Sequence, residues 1–588
     1  MPRRRSPTSV TTATDVSAED EDLDFSATYV GEIEQGLEHA GPGAWRRLRP
    51  DEEGNFARFG LVSAWRVDMR KNLHRHPLIN HVVIGVDGAF PFSDPIVVAL
   101  QGIAKDAPHW PHIEQRGTIC LGHLRYSSPV ATRVLSTLQD ALTVLDMPEA
   151  ERDAEHRREF LAYWSQSGSV ANMPYLCMFD GAPHSRAIVY YGDARLGTFF
   201  AEDAAQLSTW LSRTGKPLPK QVATTRLIWL DQPLLPASFP KVGRDVIALA
   251  GEGGLDPHVR PGSVLPLVLG CAIGGVAVYA CVEIEGISAK EAAKGFRPSK
   301  PRPPALVAST FQCKPAIRRT VQRADYAWVH GRGKSVEIEA LRNKKVAVVG
   351  CGALGGYLAR ALAQSGVGSL LLIDADDLAP SNVARHILGM ESVGLSKSAA
   401  MAKRLSADFP YAVMFDAWTG AIQAAKAEQI EQLAGCDLII AAGINLAGEL
   451  ALNRYRQEME SPPPLVWTWI EEFAAAGHAV CIADRASLAN SLNADGEFLM
   501  RLTSNWPTDQ AHAVEAGCGI FYQPYSAADM MGTINCAHRL SLDVLLGKQQ
   551  NNVVRSWLGD RDLAATKGCD LDSGFDRSFC EIKRDWAW

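Results

Sequence analysis

Between Lys345 and Lys397 the chain carries a set of groups suited to a nucleotide: Gly350-Cys351-Gly352-Ala353-Leu354-Gly355, then Asp374, then Asn382, Arg385 and Lys397. An apolar run, Val346–Val349, leads into the glycines, and a second, Leu370–Ile373, leads into Asp374. Glycines let the backbone turn tightly and approach phosphates. A following helix offers free N–H groups, and an acid at the next strand end accepts ribose hydroxyls. On its own that pattern points to NAD more often than to anything else. The amide, guanidinium and ammonium beyond the acid change the reading. A hydride carrier has no need of them, whereas charge developing on a triphosphate and an acyl-adenylate does.

A second reactive set lies near the N-terminus: Pro91-Phe92-Ser-Asp-Pro95, then Trp110-Pro111-His112, then Cys120. Thioester chemistry needs a nucleophilic sulfur, and Cys120 follows a glycine turn at Gly117, where a loop could expose it. The bland alternative is a structural cysteine in the apolar run Ile119-Cys120-Leu121, which is what an isolated cysteine in such a run usually is.

The first set resembles the adenylation domain of ubiquitin-activating enzymes and their bacterial relatives, the ThiF/MoeB group. The specific match spans Lys345–Lys397, and a looser one runs from about Gln322 to Gly547. The resemblance implies ATP and magnesium (Mg2+) as cofactors. It places Gly350, Gly352 and Gly355 under the phosphates, Asp374 on the ribose, and Asn382, Arg385 and Lys397 around the triphosphate and the acyl-adenylate. It further implies a homodimer in which an upstream arginine enters the neighbouring site; Arg323 and Arg332 both stand at suitable spacing. One departure matters: Ile444 occupies the position where the group has a magnesium-binding Asp. Magnesium then falls to phosphates, water and Asp374 or Asp376. No two of the twelve cysteines are three apart, so the zinc-holding CxxC pairs of many relatives are missing and no protein-held structural metal is expected.

The second set is similar to the ubiquitin-conjugating fold over roughly residues 30 to 165. That family has a PF-x-x-P entry, then HPN, then seven residues and the active cysteine. The spacing here fits without a gap, with Trp110-Pro111-His112 in place of HPN. His112 could donate the hydrogen bond that the family's Asn supplies, and the aligned context favours Cys120 as the thioester residue over the structural alternative. An activating enzyme needs a second cysteine. Cys351, Cys436, Cys481 and Cys536 lie in apolar or core contexts, whereas Cys518 stands between Gly517 and Gly519 in Glu515-Ala-Gly-Cys-Gly519. Glycines on both sides admit a bulky acyl group. Similar GCG-x-x-x-x-PYSA segments in bacterial fusions favour Cys518 over Cys569 and Cys580.

These groups require elements to hold them. The expected architecture is α/β multidomain: a disordered tail over 1–28, an α+β ubiquitin-conjugating-like domain over 29–168, a mixed or β-rich middle domain over 185–315, and a Rossmann-like adenylation domain over 320–588. An amphipathic helix is expected over Thr132–Leu145. The uncharged run Val264–Val282 is long enough to raise a membrane reading, but Pro266, Gly270, Gly274 and Gly275 interrupt it. Two buried strands turning near Gly274-Gly275 account for it better. Phe296–Pro304 reads as an extended connector.

At 588 residues, with 47% apolar and 21% charged, the composition is that of an ordinary globular chain of about three or four domains. A net charge of −7 gives no reason to expect nucleic acid, and unpatterned cysteines fit a reducing cytoplasm. The order of the two domains most resembles the ligase component of bacterial CBASS antiphage operons. That resemblance implies activation of the C-terminus of a cGAS-like nucleotidyltransferase, or of a ubiquitin-like protein, and its transfer to a target lysine. Conjugation of a bacterial ubiquitin-like protein outside CBASS, or sulfur-carrier adenylation, are the competing expectations.

Overall fold

The computed structural model describes residues 29–584 apart from 41–43, 55, 70–73, 123–128, 167–173, 252–263, 287–294, 298–302, 333–334, 495, 508–512, 515–520 and 523–524. Cys518, the 1–28 tail and the middle of the 296–304 connector therefore lie outside the described residues. The chain forms two compact units. One takes the chain up to Ser169 together with Gln232–Lys241, and the other takes Val170–Asp231 and everything from Val242 onward.

The first unit is an antiparallel meander covered by helices. Its strands β1 (Trp45–Arg47), β2 (Ser63–Asp68), β3 (His81–Val86), β4 (Ile96–Val98) and β5 (Thr118–Ile119) pair in chain order. β3 is apolar on both faces, with Val82, Ile84 and Val86 on one side and Val83 on the other, all buried. The first three meet Ile33 and Leu37 of α1 (Val30–Ala40) and Val134, Leu138 and Leu145 of α2 (Val130–Leu145). Val83 packs instead on Leu48, Ala64 and Val98. α2 covers the helix expected over 132–145, its buried residues recurring at helical spacing. Two short helices follow, α3 (Glu149–Arg158) and α4 (Phe160–Gln166). Phe160 and Trp164 meet the ring of Phe239, at 5.9 and 5.0 Å between centroids, so the returning segment 232–241 closes this core.

The second unit holds two eight-stranded sheets. The first contains β6 (Tyr175–Cys177), β7 (Arg186–Asp193), β8 (Gly197–Ala201), β9 (Ala223–Trp229), β10 (Val264–Ile273), β11 (Val276–Glu285), β12 (Ala316–Thr320) and β13 (Gln322–Arg323). Val264–Val282 is the β10–β11 hairpin, turning through Gly274 and Gly275 at φ 56° and 78°, where L side chains rarely go. Among the described residues no helix is long and apolar enough to cross a membrane. This sheet runs from Tyr175 to Arg323, wider than 185–315 at both ends. β13 joins it by pairing parallel with β6.

The other sheet begins with five parallel strands: β14 (Lys345–Val349), β15 (Ser369–Asp374), β16 (Met414–Thr419), β17 (Leu438–Ala442) and β18 (Leu465–Ile470), in the order β16-β15-β14-β17-β18. Antiparallel β19 (Ala476–Ile482), β20 (Val553–Leu558) and β21 (Cys580–Arg584) extend it. The central strands are nearly continuous Val, Ile, Leu and Ala because helices cover both faces. On one side α9 (Ala527–Leu545) crosses β19 and β20 where glycines permit it. A Cβ on Gly532 would lie 2.0 Å from the Trp557 ring, and one on Gly477 would lie 1.8 Å from Thr533 Oγ1. The order reverses at β14, with β15 on one side and β17 on the other, and the crevice at such a switch point is where open α/β sheets bind ligands.

Candidate functional site

The glycine loop leaves the carboxyl end of β14 at that switch point. Gly350 has φ 91°, and an added Cβ would lie 2.5 Å from the Ala442 carbonyl and 2.7 Å from Ile444 Cγ2. Gly355, in the first turn of α6 (Ala353–Gln364), passes so close to the loop that a Cβ would meet the Gly350 carbonyl at 1.8 Å. These two glycines are dictated by packing within the chain. Gly352 differs: it caps α6 and faces open space, with nothing within 4 Å of where its Cβ would stand. That bare backbone at a helix N-terminus has the form phosphate-binding loops share.

One connected set of hydrogen bonds ties Asp374, Asp376 and Lys397 to this loop. Asp374, at the end of β15, accepts the Cys351 N–H at 2.6 Å on one oxygen and the Asp376 N–H at 2.8 Å on the other. Asp376 accepts from Lys397 Nζ at 3.0 Å, and its carbonyl accepts the Lys397 N–H at 3.0 Å. Lys397 opens α7 (Lys397–Asp408) with its side chain largely buried, so its ammonium has a fixed address. Asn382 and Arg385 belong to the short helical segment Pro380–Arg385, where the Asn382 side chain accepts the Ala379 N–H at 3.0 Å. The Arg385 guanidinium lies over the Tyr525 ring, 4.7 Å from its centroid.

His386 is a member of this set that sequence reading did not single out. It is buried, its Nδ1 accepts the Leu388 N–H at 3.0 Å, and its Nε2 donates to the Cys351 carbonyl at 2.6 Å. Burial pushes its pKa down, which keeps the ring neutral and in the one tautomer that clamps the loop. Its place directly after Arg385 was the only available signal.

The carboxylates near the loop are not preformed into a magnesium pair. Both oxygens of Asp374 already accept backbone N–H groups, Asp376 faces Lys397, and Ile444 is packed against Gly350. Among the described residues, the one cluster of His, Cys, Asp and Glu with metal-ligand spacing lies elsewhere, at His112, Glu155 and Glu159. The two arginines expected to compete also separate. The Arg323 side chain is 6% exposed, forms a two-pronged ion pair with Asp325 at 2.7 Å, and donates to the Ala277 carbonyl at 2.9 Å. It is engaged inside its own chain, whereas Arg332 is exposed at the left-handed end of the helix Tyr326–Gly331.

In the first unit Cys120 is exposed just beyond β5. Its N–H donates to the His112 carbonyl at 2.8 Å, which fixes the two residues against each other. Partial burial raises the thiol pKa, and the carboxylates of Glu114 and Glu159 raise it further. The His112 side chain lies between two carboxylates, Nε2 at 3.0 Å from Glu155 and Nδ1 at 3.7 Å from Glu159. A cavity of about 270 Å³ opens beside β5, lined among others by Asp94, Thr118, Leu121, Gly122 and Asp140. Cys351, Cys436, Cys481, Cys536 and Cys569 are buried, and Cys580 is half-buried.

Residues 329–492 match the ThiF family. The glycine loop, Asp374, Asn382, Arg385 and Lys397 all fall inside this ThiF region. Among curated proteins, the chain is 32% identical over 248 residues to the ATP-dependent ubiquitin transferase-like protein Cap2 of Pseudomonas aeruginosa, a stretch covering 40% of this chain and 42% of that protein. It is 30% identical over 187 residues to ubiquitin-like modifier-activating enzyme 5 of Aedes aegypti, covering 28% of this chain and 45% of that one. The chain thus spans less than half the length of either relative. Among solved structures, a crystal structure of PaaA aligns over 44% of this chain and 79% of its own at 17% identity, with a TM-score of 0.31.

Proposed function

We propose that this chain activates the C-terminal carboxylate of a protein donor with ATP and passes the acyl group through cysteine thioesters to an amine. The observation that carries the reading is the linked set Cys351 N–H, Asp374, Asp376 and Lys397 at the switch point, next to the bare backbone of Gly352 and inside the ThiF match, which also contains Arg385. The donor carboxylate attacks the α-phosphorus of ATP, forming an acyl-adenylate and releasing pyrophosphate. Lys397 and Arg385 offset negative charge on the phosphates, Asp374 faces the ribose, and a magnesium ion would be held by the phosphates and water. Cys518 takes the acyl group from the adenylate, releasing AMP, and Cys120 then receives it by thiol exchange, freeing the Cys518 thiol. A target lysine finally takes it as an amide.

The names of the Cap2 and activating-enzyme relatives support a ubiquitin-like donor. Within a CBASS operon the donor is the C-terminus of a cGAS-like nucleotidyltransferase, and the setting is antiphage defence in the cytoplasm. The exposed Arg332 is the arginine offered to a second copy, so the active form is a homodimer through residues 320–588. Sulfur-carrier adenylation is the weaker reading, since it gives the fixed pair His112 and Cys120 no work.

ATP–pyrophosphate exchange driven by the donor tests the assignment. Asp374→Ala and Arg385→Ala should each abolish it, and hydride transfer with NAD in its place would refute the proposal.

A further inference from the structure

We infer that His112 is the general base for aminolysis at Cys120, and that Glu155 and Glu159 are the positioning residues that make it one. This deepens the thioester reading of Cys120 and rests on it. His112 has φ 62°, a left-handed backbone that a residue with a Cβ holds only under external constraint. The constraint is visible on both sides of its peptide units: its N–H donates to the Tyr163 hydroxyl at 2.9 Å, and its carbonyl accepts from Cys120. The helical pair α3–α4 then grips the ring. Glu155 Oε1 stands 3.0 Å from Nε2, and Glu155 is itself held by Arg158, whose Nε donates to it at 2.9 Å. Glu159 stands 3.7 Å from Nδ1, too far for a hydrogen bond, and is held by the Tyr163 hydroxyl at 3.2 Å.

A carboxylate only accepts, so Nε2 carries its hydrogen toward Glu155, and in the neutral ring that tautomer leaves the lone pair on Nδ1. A ring fixed in that way is an acceptor for a proton, with Glu159 placed to stabilise the charge that arrives. The neutral amine attacks the thioester carbonyl, forming the C–N bond, and a proton from the amine nitrogen passes to His112 Nδ1. The C–S bond then breaks with its electron pair on Cys120 Sγ, and the proton moves on to that sulfur, giving amide and thiol. The charged and titratable groups facing this step are Glu155, Glu159, Arg158 and Tyr163 around His112, and Glu114 and Glu159 around Cys120. The alternative of a pure hydrogen-bond donor makes a different demand, because an amide would serve it equally well.

That difference is the test. Asn suits the left-handed position, so His112→Asn keeps a donor and the fold while removing the base. The full-length chain is acylated at Cys120 with a small thioester, the mercaptoethanesulfonate ester of acetyl-Gly-Gly. Loss of the Cys120 adduct to Nα-acetyl-lysine amide is then followed by mass spectrometry from pH 5 to 9, with iodoacetamide labelling of Cys120 as the check on folding. His112→Asn should slow aminolysis by about 10² and flatten its pH dependence. Glu155→Gln should slow it several-fold in the wild-type background and leave it unchanged in His112→Asn. Near-normal aminolysis in His112→Asn would overturn the inference, as would an equal cost of Glu155→Gln in both backgrounds. Dependence of the rate on a divalent cation removable by chelator would also overturn it, making the three side chains a metal site. Because the thioester is loaded chemically, failure of the ATP-driven relay would be seen separately.

Discussion

At the scale of single residues, two carboxylates show how burial and charge set chemistry. Glu449, in the first turn of α8 (Leu446–Glu458), is buried and accepts the Trp467 indole N–H at 2.8 Å, and burial lifts its pKa to about 7. Its folded pKa is above its unfolded value, so this acid favours the fold below about pH 4.5 and loses that contribution as pH rises through about 7. Glu449→Gln keeps an acceptor for Trp467 and removes the charge. It should raise the thermal midpoint at pH 8.5 and change it little at pH 5, with an effect of up to about 3 kcal/mol. Glu114 acts on Cys120 in a comparable way. Since it helps hold the thiol in its protonated form, Glu114→Gln should speed iodoacetamide alkylation of Cys120 a few-fold at pH 7 and less at pH 10. An unchanged rate at both pH values would place that carboxylate out of reach of the sulfur.

At the scale of elements, legibility followed sequence distance. The glycine loop, both flanking strands and Asp374 were readable because a βα unit puts its chemistry at fixed local spacing, and the Val264–Val282 hairpin because glycines punctuate its apolar run. His386, Glu155 and Glu159 were not, since each matters through a residue more than thirty positions away. β13 was assigned to the adenylation side because the pattern of two residues cannot name a sheet; its parallel partner, β6, lies far upstream. The approach of α9 to its sheet was equally silent, and it depends on two glycines that no local pattern marks. Gly532→Ala should cost about 1–3 kcal/mol in urea unfolding, the usual effect of overpacking, since the Trp557 ring has to move. A neutral outcome would mean that the helix can lift without loss.

At the scale of the molecule, the proposed relay gives separable defects. Cys518→Ala should permit pyrophosphate exchange but deny acyl loading of Cys120. Cys120→Ala should leave a reducible adduct on Cys518 and no amide product. Non-reducing gels with ATP and donor read both, and normal conjugation by Cys120→Ala would reduce the first unit to a binding module. Sedimentation of the wild type at micromolar concentration tests the homodimer, which a fully active monomer would exclude.

The segment 232–241 carries one further consequence, for synthesis on the ribosome. A chain released at residue 169 would hold every strand of the first meander yet lack Phe239, leaving Phe160 and Trp164 without the ring that meets them. The N-terminal core is therefore completed only some seventy residues after its last helix has emerged, once β6 to β9 of the other unit have been made. Neither unit can be cut out as one uninterrupted stretch of chain. A gene fragment ending before Phe239 should give an N-terminal piece that aggregates, and a version in which a short linker replaces 170–231, so that 232–241 follows directly on the first stretch, should not.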